Sequence, residues 1–253
     1  MRLIIENTPQ QVAQWAANYI IAQIKNKEQH TSSPFVLGLP TGSTPLETYK
    51  ELIRRHKTGE VSFKNVITFN MDEYVGLPEE HPESYHSFMW NNFFKHVDIR
   101  PENVNILDGN ADDLAKECAD YEARIVEAGG IDLFMGGVGE DGHIAFNDPH
   151  EARFDDPETV KITTLDEPCR QQQVHDGEFA DISLVPHQAM TLTIPALMSC
   201  RCAVGIVPLD RKAKAVHDAL YGPISEKCPA SILRTHDDAA LFLDEGAASL
   251  LRI

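Results

Sequence analysis

Short apolar runs alternate with longer amphipathic stretches along this chain, the pattern of buried strands joined by covering helices. Phe35 to Leu39 is the first clear strand. Just beyond it, Thr44-Pro45-Leu46-Glu47 offers a hydroxyl cap, a proline at the first helical position and a glutamate three residues after the cap. The helix this predicts carries Leu46, Tyr49, Leu52 and Ile53 on one face and stops near Gly59. Val66 to Phe69 predicts the next strand, followed by a loop from Asn70 to Pro78, a helix containing Tyr85 to Phe94 and a strand from Asn103 to Leu107. A helix from Asp112 to Ala128 sets Leu114, Cys118, Tyr121 and Ile125 on one stripe, and Gly129-Gly130 ends it before a strand Ile131 to Met135. Residues 147 to 190 are more polar and irregular. Met190 to Ile194, Ala203 to Val207 and Ala239 to Leu243 predict further strands, with Asp210 capping a helix that presents Val216 and Leu220. The rhythm implies an α/β fold: a single doubly wound, mostly parallel sheet with helices on both faces, Rossmann-like, in one domain over 1–253.

Composition narrows the partners. The 22 Lys and Arg stand against 39 Asp and Glu, a net charge of −17, and no basic tract offsets it. Nucleic acid and anionic membrane surfaces are therefore poor partners. No apolar run reaches the roughly 18 to 20 residues of a membrane span, and Glu6 interrupts what a secretory signal would keep apolar. Cys118, Cys169, Cys200, Cys202 and Cys228 are odd in number and match neither a disulfide framework nor paired zinc knuckles, which predicts reduced thiols and a cytoplasmic protein.

In open α/β sheets ligands sit beyond the carboxyl ends of the strands, so the residues just after each strand carry the candidate chemistry. Thr41-Gly42-Ser43-Thr44 supplies hydroxyls, a turn glycine and free helix amides suited to a phosphate, although a hydroxyl turn also caps ordinary helices. Asn70-Met71-Asp72-Glu73-Tyr74 places two adjacent acids, of which only one can face a common ligand as a general base. After Met135 comes Gly136-Gly137-Val138-Gly139-Glu140-Asp141-Gly142-His143-Ile144-Ala145-Phe146-Asn147-Asp148-Pro149. Gly137, Gly139 and Gly142 spell a dinucleotide fingerprint, but that reading needs a helix opening at Gly142, and Pro149 leaves room for only about two turns. The loop reads better as a flexible cradle presenting Asp141, His143 and Asp148 for proton transfer at a sugar oxygen. Lys212 opens a helix after another strand, where a bound anion would offset the unfavourable helix dipole. No histidine or cysteine spacing forms a metal ligand set, and no G-x-S-x-G elbow signals acyl chemistry.

Taken together, Leu39 to Pro45, Phe69 to Tyr74 and Gly136 to Asn147 closely resemble the glucosamine-6-phosphate deaminase family, with His81 to Tyr85 and Gly109 to Ala111 adding to the match. The resemblance is closest from residue 34 to 149. It implies conversion of glucosamine 6-phosphate and water to fructose 6-phosphate and ammonia, with no cofactor. By that resemblance Asp72 moves the proton from carbon 2 to carbon 1, His143 opens the ring with Asp141 and Asp148, and Thr41 to Thr44, Gly137 and Lys212 bind the substrate and its phosphate. Two departures stand out. Position 148 is Asp where the family usually has Glu, and the family's phosphate-binding arginine is missing from Arg170 to His175, where His175 or Arg170 would substitute. The basic and hydroxyl residues of allosteric members are not recognisable in the acidic stretch His150 to Lys161, which predicts no such activation. The competing expectations are a 6-phosphogluconolactonase and a non-catalytic sugar-phosphate-binding protein, and homo-oligomerisation is left open.

Overall fold

A computed structural model describes residues 1–175 and 177–252. The chain opens with strand β1 (Arg2–Glu6) and helix α1 (Pro9–His30), then β2 (Phe35–Leu39), α2 (Leu46–Lys57), β3 (Val66–Asn70), β4 (Asp72–Tyr74) and α3 (Tyr85–Asn92). It continues through β5 (Val104–Asn105), α4 (Leu114–Glu127), β6 (Leu133–Gly136), β7 (Val160–Thr164) and α5 (Glu167–His175). The last third is β8 (Gln188–Leu192), α6 (Ile194–Met198), β9 (Cys202–Val207), α7 (Ala213–Tyr221) and β10 (Ala239–Asp244).

Seven strands form the central sheet in the order β1-β10-β9-β6-β2-β3-β5, every neighbouring pair parallel. Successive residues of each strand face opposite sides, so each face has its own core. Leu37, Leu39, Leu133, Met135, Val204, Ile206 and Phe242 pack with Val12, Ile20 and Ile24 of α1 and with Tyr49 and Leu52 of α2. Val36, Phe69, Phe134, Ala203 and Leu241 meet Tyr121 of α4 and Val216 of α7 on the other side. The doubly wound, parallel reading of the sequence matches this sheet. From β2 the chain winds outward through β3 to β5, then returns to lay β6 on the opposite side of β2. The crevice between the carboxyl ends of β2 and β6 is thus a topological switch point, where this architecture leaves room for a ligand.

Several local expectations change. Asp72 to Tyr74, read as loop, is β4, and it joins β8 and β7 in a second, antiparallel sheet of three strands. The strand read at Met190 to Ile194 belongs to that small sheet rather than the large one. The irregular stretch from 147 to 190 holds β7 and α5. Helix α2 begins one step later than its motif suggests: Pro45 takes the cap position with helical backbone angles and no side-chain bond, so the Thr44 hydroxyl is not its cap. Ahead of β2, α1 is capped by Thr8, whose side chain accepts the Gln11 amide at 3.3 Å, with Pro9 in the first turn. Among the described residues no helix is long and apolar enough to cross a membrane.

Candidate active site

Four segments leave the carboxyl ends of strands of the large sheet and converge on one cleft at the switch point. Thr41 to Thr44 follow β2, Asp72 follows β3, Gly137 to Phe146 follow β6, and Lys212 follows β9. All of Thr41, Gly42, Ser43, Thr44, Asp72, Gly137, His143 and Lys212 line it. Gly42 turns the first loop at φ +85°, a conformation that favours glycine. Tyr49 fixes the loop from below by donating its hydroxyl to the Pro40 carbonyl at 2.5 Å.

The paired acids divide as strand alternation requires. Glu73 is buried and accepts the amides of Tyr74 at 2.8 Å, Tyr85 at 3.0 Å and His86 at 2.9 Å, so it anchors the start of α3. Asp72, 6% exposed, faces the cleft. Burial above all, with the charges of Glu73 and Glu178 adding and His143 opposing, pushes the Asp72 carboxyl up to about 8. The strand end beneath it is tied by Tyr121, whose hydroxyl donates to the Asn70 carbonyl at 2.7 Å and the Asn105 carbonyl at 3.1 Å.

No helix opens at Gly142. The Gly-rich loop folds back on itself, with the Gly139 amide on the His143 carbonyl at 2.9 Å and the Gly142 amide on the Gly139 carbonyl at 3.1 Å. Phe146 donates its amide to the Thr191 hydroxyl at 3.1 Å, and Asn147 its side-chain amide to the Leu192 carbonyl at 2.9 Å, which pins the loop to β8. These ties present the His143 ring. Its Nδ1 lies 2.8 Å from an Asp141 oxygen and 3.1 Å from an Asp148 oxygen, while the Asp141 carboxylate also accepts the His143 amide at 3.0 Å. Burial alone would lower the imidazole, but the two carboxylates hold its proton and push it up to about 10. The Asp141 carboxyl, which burial would raise, is held below its ordinary range by the same contacts. With Nδ1 committed as a donor, Nε2 is the nitrogen left for a ligand. Among the described residues these three alone bring donor atoms within 4.8 Å of one another, as a metal site would. Two carboxylates sharing one N–H account for the clustering as hydrogen bonding.

The arrangement thus sets an uncommonly basic carboxylate and a protonated imidazole on one cleft, with a turn of hydroxyls and amides and a buried lysine among its walls. Arg170 and His175 do not join it. Arg170 turns away to donate to the carbonyls of Ile182 at 2.6 Å and Val185 at 3.0 Å, and His175 is exposed at the end of α5.

The family model described as glucosamine-6-phosphate isomerases/6-phosphogluconolactonase matches residues 7–242. The chain belongs to this family. It is 48% identical over 253 residues to a glucosamine-6-phosphate deaminase of Parabacteroides distasonis, covering 100% of this chain and 92% of that protein. To one of Bacteroides fragilis it is 49% identical, with the same two shares. A solved monomeric glucosamine-6-phosphate deaminase superposes with a TM-score of 0.92 at 39% identity, over 99% of this chain and 100% of that one. A 6-phosphogluconolactonase of Thermotoga maritima, with a TM-score of 0.76 at 20% identity over 96% and 100%, shares the fold.

Other cleft residues of this family member carry little sequence signal. Gln172, Gln173 and Glu178 form the wall contributed by α5 and the turn beyond it, and Tyr85 and Phe146 add an aromatic wall. Gln173 accepts the Tyr74 hydroxyl at 3.0 Å, and the Tyr74 ring tilts at 50° against that of Tyr85 with centroids 4.8 Å apart. A cue to Glu178 is Gly177 just before it, at φ +81° two residues past the end of α5.

Proposed function

We propose that this protein is a glucosamine-6-phosphate deaminase, converting glucosamine 6-phosphate and water to fructose 6-phosphate and ammonia in amino-sugar catabolism in the cytoplasm. The single observation that carries the reading is that Asp72 and His143, which follow different strands of the large sheet, open on the same cleft. An enolising enzyme needs a carboxylate at the carbon acid and a separate acid at the ring oxygen.

In this reading the imidazolium of His143, oriented by Asp141 and Asp148, moves a proton at the hemiacetal and opens the ring. Asp72 takes the proton from carbon 2 of the open chain and returns it to carbon 1, which turns the amino aldose into a ketose imine. Water then releases ammonia. A carboxylate with its pKa near 8 suits the base, because a base is most useful when poised near the working pH. The backbone and hydroxyls of Thr41 to Thr44, the Gly137 backbone and Lys212 hold the phosphate. The shorter Asp148 still reaches Nδ1, which supports its share in ring opening despite the missing methylene.

The test is a coupled assay across glucosamine 6-phosphate, galactosamine 6-phosphate and the gluconolactone. Ammonia and fructose 6-phosphate from the first are expected, with Asp72→Asn at least about a hundredfold slower and substrate binding kept. Lactone hydrolysis without ammonia release, or tight binding of the amino sugar without turnover, overturns the reading.

A further inference from the structure

Leu209 is a leucine in a conformation that suits glycine, with φ +83° and ψ 143°. It lies between β9 and the 3-10 turn Asp210–Lys212, whose last residue lines the cleft and is 6% exposed. The angle at Leu209 sets the direction in which that turn leaves the sheet, and the turn closes on it through the Lys212 amide, 3.1 Å from the Leu209 carbonyl. An unfavourable backbone state persists only where its surroundings over-determine it. Here the surroundings are Asp244.

Asp244 ends β10, which is hydrogen-bonded on both sides by β1 and β9, and its carboxylate is buried. Both of its oxygens lie 3.0 Å from the Leu209 amide, and Oδ1 also accepts the Ala247 amide at 2.8 Å. The following turn seals the arrangement. A Cβ at Gly246 would stand 3.0 Å from the Asp210 amide nitrogen and 3.4 Å from Asp244 Oδ1, so Gly246 lets the turn sit directly on the loop. Leu209 in turn lines a cavity with Ser43 and Thr44 of the hydroxyl turn.

We propose that Asp244 is a positioning residue: it clamps Leu209 in its left-handed conformation and thereby delivers Lys212 to the substrate's phosphate. Asp244 touches no substrate atom. The inference rests on the reading of Lys212 as a phosphate-binding residue and goes beyond it by assigning the device that places the lysine.

The experiment compares full-length wild type with Asp244→Ala, Leu209→Gly, the double variant and Lys212→Ala. The readouts are KM and kcat for glucosamine 6-phosphate and the inhibition constant of inorganic phosphate. Asp244→Ala is expected to raise KM and the phosphate inhibition constant about tenfold while kcat stays within about threefold. A fold merely weakened would lower the active fraction and leave KM alone. Leu209→Gly is expected to resemble wild type. In the double variant most of the lost affinity returns, because glycine holds a positive φ without the clamp. An unchanged KM in Asp244→Ala, or a double variant no better than Asp244→Ala, overturns the proposal. Should Asp244→Ala fail to fold, Asp244→Asn, with and without Leu209→Gly, supports the same comparison with a smaller rise in KM, because its one amide oxygen must serve both the Leu209 and Ala247 amides. If Lys212→Ala itself leaves KM and phosphate inhibition unchanged, the reading of Lys212 fails. If Lys212→Ala weakens both and Asp244→Ala does not, the clamp alone fails.

Discussion

Replacing Gly139 by alanine tests whether His143 works through its fixed position. A Cβ built at Gly139 lies 2.2 Å from both Cε1 and Nδ1 of the His143 ring, and 2.6 Å from Cγ. Ordinary contact begins at 3.4 Å, so the ring must retreat by about 1.2 Å, because backbone rather than a flexible tip carries the new methyl. Its Nδ1 bonds span 2.8 Å and 3.1 Å, and such a shift takes at least one of them beyond hydrogen-bonding length. Gly139 does not adopt a positive φ, so alanine meets no backbone penalty and the clash is the whole perturbation. A misplacement of about 1 Å at a reacting group costs on the order of a hundredfold in rate, and overpacking costs about 1–3 kcal/mol of stability. The expected result is a kcat for ammonia release down about a hundredfold. NMR titration of the imidazole should show its pKa falling from about 10 towards the ordinary histidine range, as the carboxylates lose their hold. A kcat within threefold of wild type, with His143 still titrating near 10, would refute the argument that the ring's position is what matters.

Three further outcomes follow from the same geometry. The acid limb of kcat/KM should lie near pH 8, where Asp72 ionises, and Glu178→Gln should move it to lower pH by removing a negative charge that raises that carboxyl; a limb that stays put removes Glu178 from the electrostatics. Asp72→Asn should raise the melting temperature while cutting turnover at least about a hundredfold. An unfolded aspartate releases its proton near pH 4, but the folded chain holds it up to about 8, so wild-type stability falls as pH rises across that window. Asparagine never ionises, and the gain should be on the order of a few kcal/mol at pH 8 and vanish near pH 4; equal melting curves at pH 8 would contradict it. His175→Ala should leave KM within about twofold, since its side chain is exposed at the end of α5, whereas Arg170→Ala should lower the melting temperature by stranding the Val185 carbonyl.

The parts of the fold legible in the sequence are those where local signals and burial agree. Phe35 to Leu39 is buried at every residue and reads as an unbroken apolar run, and Gly129-Gly130 ends α4 in left-handed conformations. β1 is an edge strand with an exposed first half, and its run of Leu3, Ile4 and Ile5 between Arg2 and Glu6 is too short to announce a strand. α5, with the sequence Glu-Pro-Cys-Arg-Gln-Gln-Gln-Val-His, buries only Cys169 and Gln173, and no apolar stripe announces it. β4 is the instructive case. Asp-Glu-Tyr has the composition of a loop, and it becomes a buried strand only because Thr191, Met190 and Ala189 of β8 pair with it from far along the chain.

The candidate site follows the same division. Position after a strand nominated Thr41 to Thr44, Asp72, His143 and Lys212, because the carboxyl ends of a parallel sheet share one edge whatever the details of packing. Which side chain of a nominated pair faces inward is a different kind of fact. Adjacency in Asp72-Glu73 showed that one acid must turn away, and nothing local said which. The choice is made by the start of α3, whose amides at Tyr85 and His86 need an acceptor and find it in Glu73. A count along the chain fared worse at Arg170 and His175, because it carries no information about the rotation of a helix. On α5 the cleft takes Gln172 and Gln173, while Arg170 is drawn aside by the carbonyls of Ile182 and Val185 and His175 lies exposed at the helix end beside Gln171. Residues set by strand ends could therefore be named in advance, while those set by the roll of a helix required its packing to be seen.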